Sequence, residues 1–448
     1  MCSARGGPRK FPQAGHSAPE SNRGYFFDPW LTAAKPEIKG FCEFLEMELR
    51  KSERRVRRRK EKDLATVRDL LKLVLVNLAY VLAAKLNPPA VAVPLAKPAQ
   101  KRTRYERAGL RHLPVLLQQL ADLKYIALRK SRRVGRASTV EPSSWLQDRL
   151  REVRPPFRFE HFGRSEGEEI IILSRTLKDE AAGTRDVIQI DYVDTEETNA
   201  FRSEMHKVND ALARADVQRL GAPVSFDTGP SRRALRRIFN LPAGLTNETQ
   251  TFAFGGRCYH GWWQNLDAEQ RWSILINGGR IADLDFESMF LRLAYLRTGI
   301  EPPAGDLYGD IVAPEYRDGV KQVVNAMLFR TTPLQRLPKG SPGLLPSGCT
   351  ARTLREAILN KHSPLKGTFE TGLGFALMRT ESDILVRTML RLIDAGYIGL
   401  PMHDGVMVPQ GADKTTQKIM GDVSEEIVGF RLPVKAVRYD QRSSYAPS

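Results

Sequence analysis

Hydrophobic and polar positions change period several times along the chain, and the changes divide it. Residues 1 to about 35 show no periodicity and are rich in Arg, Ser, Gly and Pro, which reads as a disordered tail. From Pro36 to Lys62 a 3.6-residue pattern carries Phe41, Phe44 and Leu45 on one face and runs into the basic stretch Arg54 to Lys60. That stretch reads equally as a solvated face or as a contact for phosphate. Val67 to Leu86 is the most apolar run, but Arg68, Asp69, Lys72 and Asn77 interrupt it, so it predicts a buried helix and not a membrane span.

After the proline-rich segment Asn87 to Pro98, Pro114 opens a helix to Leu123. Tyr125 to Leu128, the basic turn Arg129 to Arg136 and Ser138 to Val140 follow it. Helix, strand, basic turn and strand is the outline of a winged helix, in which a helix enters a groove and the wing touches phosphate. Structural domains also place a helix before a hairpin, so both readings stand. Glu169 to Leu173 and Val187 to Tyr192 are β-rich, and Thr195 starts a helix to about Leu212.

Period-two alternation returns around Asn277-Gly278, a strong two-residue hairpin signal, and predicts a second strand ending at Asp285. Ser288 to Arg297 follows as a helix with Met289, Leu293 and Leu296 on one face. Glu381 to Ala395 reads as a helix stopped near Gly396, then Ile398 to Met402 as a strand, His403-Asp404-Gly405 as a turn and Val406 to Val408 as a strand. Between the two carboxylate-bearing hairpins, the helix Pro314 to Phe329 aligns Arg317, Lys321, Asn325 and Phe329 along one stripe.

Composition narrows the partners. The 448 residues hold two to four domains, and a formal charge of +17 favours a polyanionic partner, with membrane surfaces and acidic proteins left open. Four scattered cysteines without Cys-x-x-Cys spacing suggest neither a disulfide framework nor a zinc ribbon, and a reducing, cytoplasmic setting. The acid-poor first 25 residues resemble a transit peptide only superficially, because helix breakers spoil the amphipathic pattern. No His-x-x-x-His pair and no Gly-x-x-x-x-Gly-Lys-Ser/Thr loop occurs, so zinc hydrolase and P-loop chemistry lack support.

The chemistry lies in Asp285 and Asp404. Two strands that each deliver an Asp to a strand end form the arrangement that clamps two Mg²⁺ ions, with Mn²⁺ able to substitute, for phosphoryl transfer. Asp283 would share the face of Asp285, so either can bind metal, and Asp285 lies nearer the strand end. The stripe of Arg317 and Lys321 suits a triphosphate, and its aromatic end a base.

In this order, strand-Asp-turn-helix, Arg-x-x-x-Lys helix and His-Asp hairpin resemble the three motifs of family A DNA polymerases, the DNA polymerase I type. Gly256-Arg257, Gln264-Asn265 and Arg271 resemble the elements that precede the first motif. The resemblance covers about residues 230 to 430. It implies an α+β right hand with palm, fingers and thumb, and Asp285 and Asp404 as metal ligands. It further implies Arg317 and Lys321 on the triphosphate, Lys321 as proton donor to pyrophosphate, and Phe329 beneath the nascent pair. His403 would meet the primer terminus, and Arg257, Gln264, Asn265 and Arg271 the primer-template duplex.

Three positions depart from the family. Phe290 replaces a Glu that excludes ribonucleotides, although a ring there can itself block a 2′-hydroxyl; Asn325 replaces an aromatic residue; Gly405 replaces an acid. The expected organisation is a tail (1–35), a basic helical and winged-helix-like nucleic-acid-binding module (36–165), a β-rich linker with thumb-like helices (166–250) and a palm and fingers core (251–448). There is no room for an exonuclease domain. The expectation is a compact, divergent DNA polymerase without proofreading, acting on a DNA primer-template with nucleoside triphosphates. Replication or repair in a mobile-element or phage-like, nucleoid-associated setting fits such economy. An RNA polymerase or primase with the same palm, and a catalytically silent winged-helix protein, are the alternatives.

Overall fold

A computed structural model describes residues 25–52, 60–93, 95, 103–131, 137–179, 184–244 and 250–440. The architecture is mixed α+β, with mostly antiparallel sheets and two buried hydrophobic clusters.

The sheet that matters most runs in the order Leu400–Met402, Gly405–Pro409, Gly279–Phe286, Ile274–Ile276, Val217–Arg219. Val434–Arg438 joins the far half of Gly279–Phe286. The Asn277-Gly278 hairpin forms as its dipeptide predicts. Both residues have positive φ, 51° and 76°, a backbone that Asn and Gly tolerate and branched residues resist. Ile281, Ala282 and Leu284 are all fully buried, so the strand is covered on both faces and its alternation fades.

The helix Leu373–Asp394 begins eight residues before the expected Glu381. Gly372 at φ 78° precedes it, and position 374 takes glycine because a Cβ there would lie 2.8 Å from the Phe329 ring.

A second sheet runs Gly255–Tyr259, Arg236–Leu241, Ile171–Asp179, Thr184–Gln189. Ile171–Asp179 and Arg236–Leu241 pair in parallel, which ties residues separated by a long helix into one sheet. The stretch 166–250 is β-rich as expected, and its Ile171, Leu173 and Phe239 belong to the same core as Ile281 and Val406. The helix Glu196–Arg214 is capped by Thr195, whose hydroxyl accepts from the Thr198 N–H at 3.2 Å. It buries Phe201, Met205, Val208 and Leu212 in that core.

The second cluster joins Glu37–Ser52, Glu61–Ala83, Leu113–Asp122 and Ser144–Glu152 to a sheet ordered Tyr25–Phe26, Val91–Val93, Ser138–Pro142, Ile126–Arg129. Tyr25–Phe26 and Leu31–Ala33 are strands, so the disorder expected as far as residue 35 does not reach them; residues 1–24, of the expected tail, and 53–59, of the basic run, lie outside the described residues. Helix Leu113–Asp122 and hairpin Ile126–Arg129 with Ser138–Pro142 follow the predicted order, with turn residues 132–136 outside the described set. That helix contains no Lys or Arg and exposes Val115, and Arg129 and Lys130 stand exposed at the hairpin end. Among the described residues no helix is long and apolar enough to cross a membrane.

Candidate active site

Asp285 stands next to last in its strand, and the ladder sets its neighbours: Gly405 directly across on one side, Lys435 on the other. Asp404 sits in the two-residue turn before Gly405, with His403 at φ 55°. A Cβ on Gly405 would lie 1.7 Å from Asp285 Oδ1 and 2.6 Å from the Leu284 carbonyl oxygen. Only glycine lets the Asp285 carboxylate lean over the turn that carries Asp404. The Gly405 departure thus has a local steric cause.

Asp283 takes a different part. It is 6% exposed, its Oδ1 has no hydrogen-bond partner, and its Oδ2 lies 3.7 Å from Arg271. Burial pushes its carboxyl above the usual range, the Arg271 charge pulls it down, and Asp404 adds to the rise. Of the two aspartates on this strand, Asp285 lines the cleft with Asp404.

The cleft encloses about 700 Å³. Facing the carboxylates, helix Arg317–Phe329 presents Arg317, Lys321 and Asn325. The helix lies flat on Ser341–Leu344 because Gly319 has no side chain: a Cβ there would sit 2.2 Å from the Leu344 carbonyl oxygen. Arg317 donates from Nε and Nη2 to the two oxygens of Asp306, at 2.7 and 3.1 Å, and lies over the Tyr308 ring at 5.4 Å. Burial raises the Asp306 carboxyl, but the Arg317 hydrogen bond and the Tyr308 N–H hold it below the usual range.

Phe290 closes one end. It meets Phe329 edge-on at 5.4 Å, and Phe329 meets Phe375 edge-on at 5.1 Å. Arg257 lies 5.5 Å over Phe290 and is held by Glu381 through contacts of 2.8 to 3.0 Å. Burial pushes the Glu381 carboxyl up to about 7 despite the pull of Arg257, with Asp404 adding to the rise. Burial also lowers His403, helped by Arg257 and opposed by Asp404. The imidazole is therefore neutral at pH 7 and can accept a hydrogen bond.

Of the residues singled out from the sequence, Asp285, Asp404, His403, Arg317, Lys321, Asn325, Phe290 and Arg257 line this one cleft. Phe329 lines an adjoining cavity behind Phe290. Gln264 is used inside the protein: it donates to the carbonyls of Cys258 and Pro401 and accepts from the Gly261 N–H. Asn265 is exposed outside the cleft, and Arg271 lies behind it against Asp283. Sequence reasoning missed Asp306, Tyr308 and Lys435, and it gave Glu381 no role as a partner of Arg257. None of these carries a periodic signal, because each acquires its role from a residue outside its own helix, strand or turn.

Among the described residues no group of three or more His, Cys, Asp or Glu side chains is placed to hold a metal ion. Two carboxylates facing cationic side chains across an open cleft nevertheless suit Mg²⁺, which binds through one or two carboxylates and completes its shell with water and substrate phosphates.

No family model and no curated protein matches the chain. Among solved structures, it is similar to the POL domain of Pol1 from M. smegmatis in complex with DNA primer-template and dNTP, at 12% identity and a TM-score of 0.33. The match covers 55% of this chain and 52% of the other, about half of each. So loose a superposition adds nothing to the geometry of the cleft.

Proposed function

We propose that the protein is a template-directed DNA polymerase that joins deoxynucleotides to a primer by two-metal nucleotidyl transfer, in DNA replication or repair. The observation that supports this most strongly is the meeting of Asp285 and Asp404 over Gly405, opposite Arg317 and Lys321 on one cleft wall. Mg²⁺ ions held by Asp285 and Asp404 would activate the primer 3′-hydroxyl and offset charge on the leaving pyrophosphate.

The protein's own groups do the rest. Arg317 binds the triphosphate through its planar fork, and Lys321, four residues on and one turn away, gives a proton to the pyrophosphate oxygen as it leaves. Neutral His403 donates its ring N–H to the primer's terminal phosphate, and Arg257, fixed by Glu381, meets the duplex. The Phe290 ring, braced edge-on by Phe329, occupies the space beside the sugar and rejects a 2′-hydroxyl. That ring favours the DNA polymerase over an RNA polymerase or primase. The N-terminal module adds phosphate contacts through Arg129 and Lys130.

Primer extension on a recessed duplex with Mg²⁺ tests the reading. Wild type should extend with deoxynucleotides, and Asp404→Asn should lose about 10³-fold or more in rate while binding duplex as tightly. Equal activity of the two, or no extension by wild type on any template despite tight DNA binding, refutes it.

A further inference from the structure

The cation that faces the carboxylates is not held by its own helix. Residues 301–313 contain neither helix nor strand, yet Asp306 and Tyr308 in that segment line the cleft. Two buried side chains pin it. Arg292, 3% exposed, donates from Nε to the Glu287 carbonyl at 2.9 Å, from Nη1 to Pro303 at 3.0 Å and from Nη2 to Gly305 at 2.7 Å. It therefore ties the segment to the end of the Asp285 strand.

His362 pins Leu307, two residues on. Its Nε2 lies 3.0 Å from the Leu307 carbonyl oxygen, which can only accept, so Nε2 carries the proton. The other nitrogen then accepts from the Tyr295 hydroxyl at 2.9 Å. Asp306 itself closes a local turn by accepting from the Tyr308 N–H at 3.2 Å. The carboxylate is thus fixed before any substrate arrives.

On this fixed group Arg317 is gripped by one edge only. Nε and Nη2 meet Asp306, the ring of Tyr308 backs the guanidinium, and the Nη1 edge remains, with Asp318 at 3.7 Å. Resting on the nucleotidyl-transfer reading of the cleft, we propose that Asp306 is a positioning residue that holds Arg317 by its inner edge, so that the outer edge meets the polyphosphate of the incoming nucleotide. An unheld arginine must give up its rotamer freedom each time it binds phosphate; one already clamped binds with less loss. The opposite role is a placeholder: Asp306 would mimic the phosphate and have to be displaced. The two roles differ in sign, since removing a positioner weakens nucleotide binding and removing a placeholder tightens it.

The full-length protein is compared as wild type, Asp306→Asn, Asp306→Glu, Arg317→Ala and the double variant Asp306→Asn/Arg317→Ala. Asn keeps the local turn with Tyr308, and Glu supplies a second check on folding. For positioning, Asp306→Asn raises KM for the deoxynucleotide about tenfold and changes kcat less than about threefold. Asp306→Glu recovers part of the loss, and Asp306→Asn adds nothing once Arg317 is gone. A lower KM, an unchanged KM, or the same penalty with and without Arg317 overturns the proposal. Should wild type extend no primer, the polymerase reading fails on its own account. Calorimetric titration with Mg²⁺ and inorganic tripolyphosphate still decides the role of Asp306: weaker binding by Asp306→Asn supports it, and equal or tighter binding overturns it.

Discussion

The two walls of the cleft are built by different means. On the sheet wall, Asp285 and Asp404 are brought together by ladder register, in which each residue has a fixed opposite number and one missing Cβ sets the spacing. On the helix wall, Arg317 and Lys321 owe their shared direction to helical periodicity, but Arg317 owes its pose to Asp306 on a segment without regular structure. A wall made by backbone pairing tolerates almost no change of backbone. A wall made by side-chain clamps loses one contact at a time. Substitutions should therefore break the first sharply and the second by degrees.

Outside the two aspartates, the largest effect expected is at Gly405. An alanine Cβ would collide with Asp285 Oδ1 and the Leu284 carbonyl, and the second of these is backbone that cannot swing away. Gly405→Ala should lower single-turnover incorporation by about 10²-fold or more, as an ångström-scale displacement at a reacting centre does. A variant with wild-type rate would show that the close approach is dispensable.

Next comes Arg292, which serves the other wall. Arg292→Met removes donors to three carbonyls and should cost about 2–4 kcal/mol in denaturant unfolding. It should also raise the nucleotide KM, because the segment carrying Asp306 is freed; a loss of stability with KM unchanged would separate that segment from substrate binding. Phe290→Ala opens the space beside the sugar and should relax discrimination against ribonucleotides by about 10- to 100-fold, read as a ratio of kcat/KM values.

The last effect is a slope against pH. The Glu381 carboxyl titrates near 7 when folded and near 4.5 as a free group, so the folded state holds the extra proton between those values. Its contribution to stability is then present below about pH 4.5 and lost as pH rises to 7, by on the order of 3 kcal/mol. Unfolding of the metal-free protein from pH 4.5 to 8 should show wild type falling relative to Glu381→Gln. A parallel course of the two would assign Glu381 as ionised throughout, in a plain ion pair with Arg257.

Much of the sheet wall was legible in the residues themselves. Asn277-Gly278 marks its hairpin, the alternation that follows runs to Asp285, and His403-Asp404-Gly405 sits between two short strand signals. The stripe of Arg317, Lys321 and Asn325 follows from 3.6-residue periodicity, and all three do face the cleft. Less legible was the stretch 166–250, which looks like a linker because its strands find partners through a parallel pairing that no local pattern announces. Gln264 likewise carries an amide suited to a groove, and the fold spends it on two backbone carbonyls.

What the sequence determined by itself is whatever depends on near neighbours: the hairpin at Asn277, the cap at Thr195, the face shared by Arg317 and Lys321, and a charge of +17 that favours polyanions. What only the tertiary structure decided is whatever depends on distance across the chain. It chose Asp285 over Asp283 for the cleft, made Gly405 a requirement, gave Arg257 to Glu381 and set Arg317 against Asp306. The reason is physical: periodicity and turn chemistry act over a few residues, whereas steric fit and burial of charge are settled only when remote segments meet.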